Sequence, residues 1–278
     1  MIALVTDSNA QLPVALQERF GVRVVPLTIV LDGEDHVEGI DLDPDEFYDR
    51  LGAGATVSTA APAPGRFVAA FDEAARAGAT QVLAIHIGSN TSGTVNAARL
   101  AAQSAPIPVE IVDTGTASFP IACCVWAAGT VLERGGSLEE AAGAARAVAT
   151  TIGNVFVVGA LDLARRGGRL AADAAEGDGV PVLALDGGTM EVVGHARDVE
   201  GAVDAMALFF DRWAAGRLMR VGVGQVRAEA IAGELEHRLR ECSEVADLVR
   251  YEIGPSVGAH TGPGTVGAVF FPDDLTNM

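Results

Sequence analysis

Short runs of β-branched and aliphatic residues alternate with longer amphipathic stretches through the first half of this 278-residue chain. That alternation narrows the open folds more than any other feature. A strand, a helix and a second strand in succession make a βαβ unit, in which the strands lie parallel and helices cover the sheet. The apolar runs predict strands over Ile2 to Thr6, Val22 to Leu31, Gln81 to Ile87 and Val109 to Val112. The stretches between and after them predict helices over Leu12 to Arg19, Pro44 to Leu51, Pro64 to Ala77, Gly93 to Gln103, Ser118 to Arg134 and Leu138 to Thr151. Asp43-Pro44 with Glu46, and Ser137 with Glu140, have capping-box spacing at two of these starts.

The pattern changes near Thr151. A strand is predicted over Phe156 to Val158, a short helix over Ala160 to Arg166 and a turn at Arg166-Gly-Gly-Arg169. Val182 to Asp186 and Thr189 to Gly194 flank Gly187-Gly188, the clearest hairpin signal in the chain. A helix over Val199 to Ala215, a strand over Val221 to Val226, a helix over Ala228 to Arg240 and strands over Leu248 to Ile253 and Val266 to Phe271 follow. The length exceeds that of one ordinary domain. The expected architecture is therefore two-domain α/β. An N-terminal parallel-sheet α/β domain spans residues 1–152, and a C-terminal mixed α+β domain spans residues 153–278.

Charge excludes several function classes. The formal net charge is −18 and all 19 basic residues are Arg. No lysine can reach a nucleotide phosphate from a P-loop or form a Schiff base with a carbonyl compound. Nucleic acid and anionic membrane surfaces both attract positive patches, so a chain this acidic is expected to bind neither. No run of eighteen apolar residues occurs, so stable membrane insertion is not expected. Met1 to Val5 already reads as a strand rather than the basic start of a signal peptide, which predicts a cytoplasmic protein. Cys123, Cys124 and Cys242 lack metal or disulfide spacing and are expected to be small core residues. His36, His86, His195 and His237 show no regular ligand spacing, and no metal site is expected.

Three polar segments stand out. Gly88-Ser-Asn-Thr-Ser92-Gly93-Thr94 links a predicted strand to a predicted helix, with Ser92 at the expected N-cap. Free backbone N–H groups there favour an anion, and Gly93 lets a ligand approach; an ordinary serine cap is the alternative. Val57-Ser58-Thr59-Ala60-Ala61-Pro62-Ala63-Pro64-Gly65 precedes another helix, where Thr59 either offers a hydroxyl to a cleft or only makes the turn. Gly262, Gly264 and Gly267 fit G-x-G-x-x-G in form, but a strand follows and the chain ends, so a dinucleotide is excluded. His260 in that glycine-rich segment either lines a cleft or is an ordinary histidine. Asp7 closes the first strand, where open α/β sheets bind ligands and where turns also begin.

Taken together, Val5-Thr6-Asp7-Ser8, the Thr59 to Pro64 segment, Ser92-Gly93-Thr94, Arg166-Gly-Gly-Arg169 and His260-Thr-Gly-Pro-Gly264 resemble the DegV family of bacterial fatty-acid-binding proteins, in order and spacing across almost the whole chain. The resemblance implies two α/β domains and a buried acyl chain. It further implies that Thr59, Ser92 and Gly93 hold the carboxylate with His260 close by, and that the protein is a carrier with no catalytic residues, metal or cofactor. The implied ligand is a long-chain fatty acid such as palmitate or oleate. The implied partner is a separate fatty-acid kinase that receives the carboxylate for acyl-phosphate formation, with Arg169 and Arg197 as candidate docking residues. The family's Thr-Ser-Gln-Pro is here Thr59-Ala60-Ala61-Pro62, which removes two polar side chains. The alternative is an esterase or acyltransferase with Ser92 as nucleophile and His260 as base, although position 90 is Asn and no G-x-S-x-G elbow is present.

Overall fold

The computed structural model describes residues 1–161, 163, 179–186 and 189–276. The chain forms two compact units: unit 1 runs from Met1 to Thr150 and takes in the segment from Asp274, and unit 2 runs from Thr151 to Asp273.

Unit 1 contains, in order, β1 (Ile2–Asp7), α1 (Val14–Phe20), β2 (Arg23–Val25), β3 (Thr28–Leu31), β4 (Glu34–Val37), α2 (Pro44–Gly52), β5 (Val57–Ala60), α3 (Pro64–Arg76), β6 (Gln81–His86), α4 (Thr94–Ala102), β7 (Val109–Asp113), α5 (Phe119–Glu133) and α6 (Leu138–Ala149). Four strands in the order β2-β1-β6-β7 pair in parallel, as the βαβ pattern predicts. Side chains alternate across this sheet. Ala3, Val5, Val82 and Ala84 pack with Phe67 and Phe71 of α3 and Ala98 and Ala101 of α4. Helices α5 and α6 meet the same strands from the remaining face. Every residue of α5 from Phe119 to Val131 is buried, which explains why this helix is apolar all round and lacks the polar stripe of a surface helix.

The single strand expected over Val22 to Leu31 is corrected to two. Pro26 has no N–H to give a ladder. The chain breaks there, so β2 joins the parallel sheet and β3 joins a separate antiparallel sheet in the order β4-β3-β5. Strands β3 and β4 are joined by Asp32-Gly33, with φ of 53° and 86°. Two left-handed residues in a two-residue loop match the twist of a hairpin, and glycine takes that conformation at no steric cost. The capping signals hold: Asp43 accepts from the N–H groups of Asp45 and Glu46, and Ser137 and Glu140 form a reciprocal box at the start of α6.

Unit 2 contains β8 (Gly153–Val157), β9 (Val180–Asp186), β10 (Thr189–Ala196), α7 (Val199–Ala214), β11 (Met219–Gln225), α8 (Glu229–Arg240), β12 (Val245–Glu252), α9 (Pro255–Thr261) and β13 (Val266–Pro272). Its six strands lie in the order β10-β9-β8-β13-β11-β12. Only β11 and β12 run parallel, so the sheet is mixed as expected. Phe210 and Met206 of α7 and Leu235 of α8 pack on Val221, Val223 and Phe270 of the sheet. The Arg166 to Arg169 turn, most of the expected helix before it and the Gly187-Gly188 link lie outside the described residues.

Cys123 and Cys124 are fully buried in α5, where loss of hydration pushes both thiols far up. They are unsuited to nucleophilic or redox work at neutral pH. Cys242 departs from expectation: it is half-buried at the edge of the unit 2 core, where the carbonyl of Arg238 accepts its thiol. Among the described residues, no helix is long and apolar enough to cross a membrane, and no cluster of His, Cys, Asp or Glu is arranged to hold a metal ion.

Candidate ligand site

Parallel sheets bind ligands beyond the carboxyl ends of their strands, where loops converge. In unit 1 that edge carries Asp7 at the end of β1 and His86 at the end of β6, both fully buried. Every polar group of the Thr6-Asp7-Ser8 turn is engaged. Thr6 Oγ1 donates to the Ile85 carbonyl at 2.8 Å, and Ser8 Oγ donates to the Glu38 carboxylate while accepting the Leu27 N–H at 2.9 Å. Asp7 accepts from the N–H groups of Asn9 at 3.2 Å and Ile87 at 3.0 Å, and its Oδ2 lies 3.0 Å from His86 Nδ1. A carboxylate can only accept, so Nδ1 is the donor of this bond. Of the two readings open for Asp7, the geometry gives it a structural task at this edge.

Beyond His86 the chain turns through Gly88 into the Ser92 segment. Helix α4 begins one residue later than expected: Gly93 is its N-cap, with φ −71° and ψ 0°, and Ser92 lies outside. Ser92 Oγ still accepts the Thr94 N–H at 3.3 Å and lies 2.8 Å from Thr94 Oγ1. Thr94 is fully buried and Ser92 half-buried. When the Thr94 hydroxyl donates to Ser92 Oγ, the Ser92 O–H is left to donate outward. Among the described residues of unit 1, the partner of the Ser92 hydroxyl is thus another hydroxyl.

The two unit 1 motifs meet. A methyl built on Gly93 would lie 3.7 Å from the Ala61 Cβ, so the segment after β5 runs alongside the start of α4. Thr59 itself is corrected from turn to strand: it is exposed on β5 and pairs with Ile29 of β3, and the chain leaves the sheet only after Ala60. Residues 58 and 59 extend readily, while Pro62 and Pro64 enforce the turn and the start of α3. At the far edge of the sheet, burial of the Asp113 carboxyl works to raise its pKa. Hydrogen bonds from Ser89 and Gly115, with the Arg99 charge, outweigh this and hold it below the usual range. Ser118, before α5, has φ 65° and its N–H is held by Asn9 Oδ1 at 2.8 Å.

His260 belongs to unit 2 and is half-buried on the last turn of α9, a helix where the sequence predicts a glycine-rich loop. Pro255 at the first helical position supplies the missing start signal, and Gly262 at φ 75° ends the helix. Unit 2 also holds a groove of about 510 Å³ between α7 and α8, edged by Glu200, Asp204, Glu234 and Arg238. None of the candidate ligand residues lines it.

Two members of this arrangement carry weak sequence signals. His86 shows no ligand spacing, and its mark is its place at the end of a strand beside a switch into a polar loop. Thr94 is marked by its spacing, since a hydroxyl two residues after Ser92 is placed to bond it.

A family model described as "Uncharacterised protein, DegV family" matches residues 1–273. A DegV domain-containing protein of Streptomyces coelicolor is 36% identical over 96% of this chain and 97% of its own length. A solved structure described as fatty acid binding of a DegV family protein from Thermus thermophilus is 34% identical, with TM-score 0.87, and the match covers 98% of this chain and 99% of that one. A DegV lipid binding protein from Thermotoga maritima superposes with TM-score 0.86 at 27% identity, over 98% of each chain. Fold, motif order and relatives agree along the whole length: the chain belongs to the DegV family.

Proposed function

We propose that this protein binds a long-chain fatty acid such as palmitate or oleate, with Thr59, Ser92 and Gly93 holding the carboxylate. The observation that carries the reading is the meeting of Gly93 with Ala61 beside the paired Ser92 and Thr94 hydroxyls. A glycine N-cap leaves backbone N–H groups open to an anion, and the Ser92 hydroxyl adds a donor. His260 enters on the family resemblance alone. The fatty-acid-binding description of the Thermus thermophilus relative supports the choice of ligand.

Energetics divide the task between tail and head. Each buried methylene contributes about 0.8 kcal/mol, so sixteen carbons supply on the order of 11 kcal/mol against association costs of about 4–15 kcal/mol. The tail supplies affinity, and the donors offset desolvation of the carboxylate and fix its orientation. A net charge of −18 repels a fatty-acid anion at long range, so the attraction is local to these loops. In the finer form of the proposal the protein is a cytoplasmic carrier that performs no chemistry and presents the carboxylate to a separate kinase. Acyl phosphate forming only when such a partner and the loaded carrier are combined is the expected result.

Native mass spectrometry of freshly purified protein tests the ligand. A bound mass in the fatty-acid range, or uptake of added palmitate or oleate, is expected; neither appearing would remove the proposal. Gly93→Ala separates site from scaffold. Its backbone angles suit alanine and the added methyl makes only ordinary contact with Ala61. Folding stability should fall by about 1 kcal/mol or less, the difference between glycine and alanine as N-caps. Palmitate affinity should fall further, because the methyl covers the approach to the helix start. Unchanged affinity, measured by calorimetry, would place the head group elsewhere.

A further inference from the structure

The buried Asp7–His86 pair has a feature that packing alone does not explain. With Nδ1 held by Asp7, Nε2 is buried and has no hydrogen-bond partner among the described residues. Hiding a polar nitrogen in this way costs free energy unless something pairs with it.

Strand alternation locates the ring. Val82 and Ala84 of β6 face α3 and α4, so His86 projects to the same side. Phe67, in the first turn of α3, meets the ring edge-on with centroids 5.1 Å apart. Helix α3 starts three residues after Ala61, which faces Gly93 at the start of α4. The imidazole therefore lies beside the start of α3, the helix that the Ala61 segment leads into. Since Nδ1 is turned to Asp7 of β1, Nε2 is turned away from that carboxylate.

Charge then decides what this nitrogen can do. With Asp7 ionised and the ring neutral, the pair is negative and offers a lone pair, both hostile to an incoming carboxylate in a region shielded from water. One proton on Nε2 reverses both: the pair becomes neutral and the nitrogen becomes a donor. We infer that His86 is a further ligand-contacting residue of the head-group site, its protonated Nε2 donating to the bound carboxylate, so that binding takes up one proton from solution. Asp7 is the positioning residue, since it fixes the ring through Nδ1 and stabilises the imidazolium.

This rests on the fatty-acid reading of the same site. The other charges on the elements packed around the ring are Glu110 and Asp113 on β7, Arg66 at the start of α3 and Arg99 on α4, with Asp72, Glu73 and Arg76 further along α3 and Arg23 on β2. Arg66 is directed to the Pro26 carbonyl, and Arg99 acts on Asp113. Neither neutralises the Asp7 carboxylate.

The test is calorimetry of the full chain with hexadecanesulfonate, whose head group stays ionised, in buffers of different ionisation enthalpy from about pH 6 to 8.5, the span in which imidazoles change charge. Uptake approaching one proton per ligand is expected at the upper end, with affinity falling toward tenfold per pH unit. In His86→Gln, uptake and pH dependence should both vanish. Uptake that persists in the variant, or is missing from the wild type, overturns the inference. Should the variant fail to fold, nitrogen NMR of the wild-type ring decides: palmitate should move both ring nitrogens to imidazolium shifts, and an unmoved ring overturns it. Binding of palmitate without proton uptake sinks this inference and leaves the fatty-acid reading standing. If palmitate does not bind the wild type, both fall.

Discussion

Ser92→Ala is expected to weaken palmitate binding by about 1–3 kcal/mol, the cost of losing a hydrogen bond to a charged group, or roughly five- to 150-fold in Kd. The expectation follows from the hydroxyl pair. Thr94 is buried and can direct its own proton onto Ser92 Oγ, which frees the Ser92 proton for the ligand. Removing Ser92 deletes a donor and leaves the buried Thr94 hydroxyl without its partner. Stability should fall as well, by about 1–3 kcal/mol, because the buried Thr94 hydroxyl and its N–H lose their Ser92 partner. A folded Ser92→Ala protein with wild-type affinity, measured by calorimetry, would reduce Ser92 to an organiser of the helix start.

Phe270→Ala is expected to destabilise unit 2 by about 3–5 kcal/mol, the usual cost of emptying a buried aromatic site. Phe270 is fully buried on β13, the strand between β8 and β11 in the sheet. Its ring meets Phe210 of α7 edge-on at 5.1 Å and Trp213 at 5.0 Å, so one truncation opens the contact between helix and sheet. Urea unfolding followed by circular dichroism and tryptophan emission measures the loss. A change below about 1 kcal/mol would mean that the neighbouring rings collapse into the gap.

The parallel sheet of unit 1 was legible because strands buried on both faces are written as apolar runs rich in β-branched residues, and β1 and β6 are such runs, while the partly buried edge strand β7 keeps Val109, Ile111 and Val112. Helix α6 was legible from one local device, the Ser137 and Glu140 box. Polar edge structure was not. Glu34–Val37 carries too little apolar character to register as a strand, and only the Asp32-Gly33 turn marks it. Thr59 reads as a loop residue because Pro62 and Pro64 follow it, yet pairing with β3 holds it in a strand. His260 sits among glycines that suggest a loop, while Pro255 quietly starts a helix.

The site divides in the same way. Ser92 and Gly93 could be singled out from sequence because a helix start is a local event. The Asp7 and His86 contact could not, since it joins residues 79 apart in the chain through the pairing of β1 with β6. A parallel register is set by the packing of both faces, and no neighbouring residue records it. The likeness to a family gives the motifs their meaning but does not supply this contact, which is seen only once the two strands lie side by side.

Helix α5 has its own consequence for how the protein comes into being. While the chain is being synthesised, this greasy segment leaves the ribosome before α6, the helix that packs most extensively against it, has emerged. Until those residues arrive the nascent molecule carries a water-averse rod with no complete shelter, the kind of surface that chaperones hold and that drives clumping. The vulnerable moment in this protein's life therefore falls midway through translation, before its second unit exists.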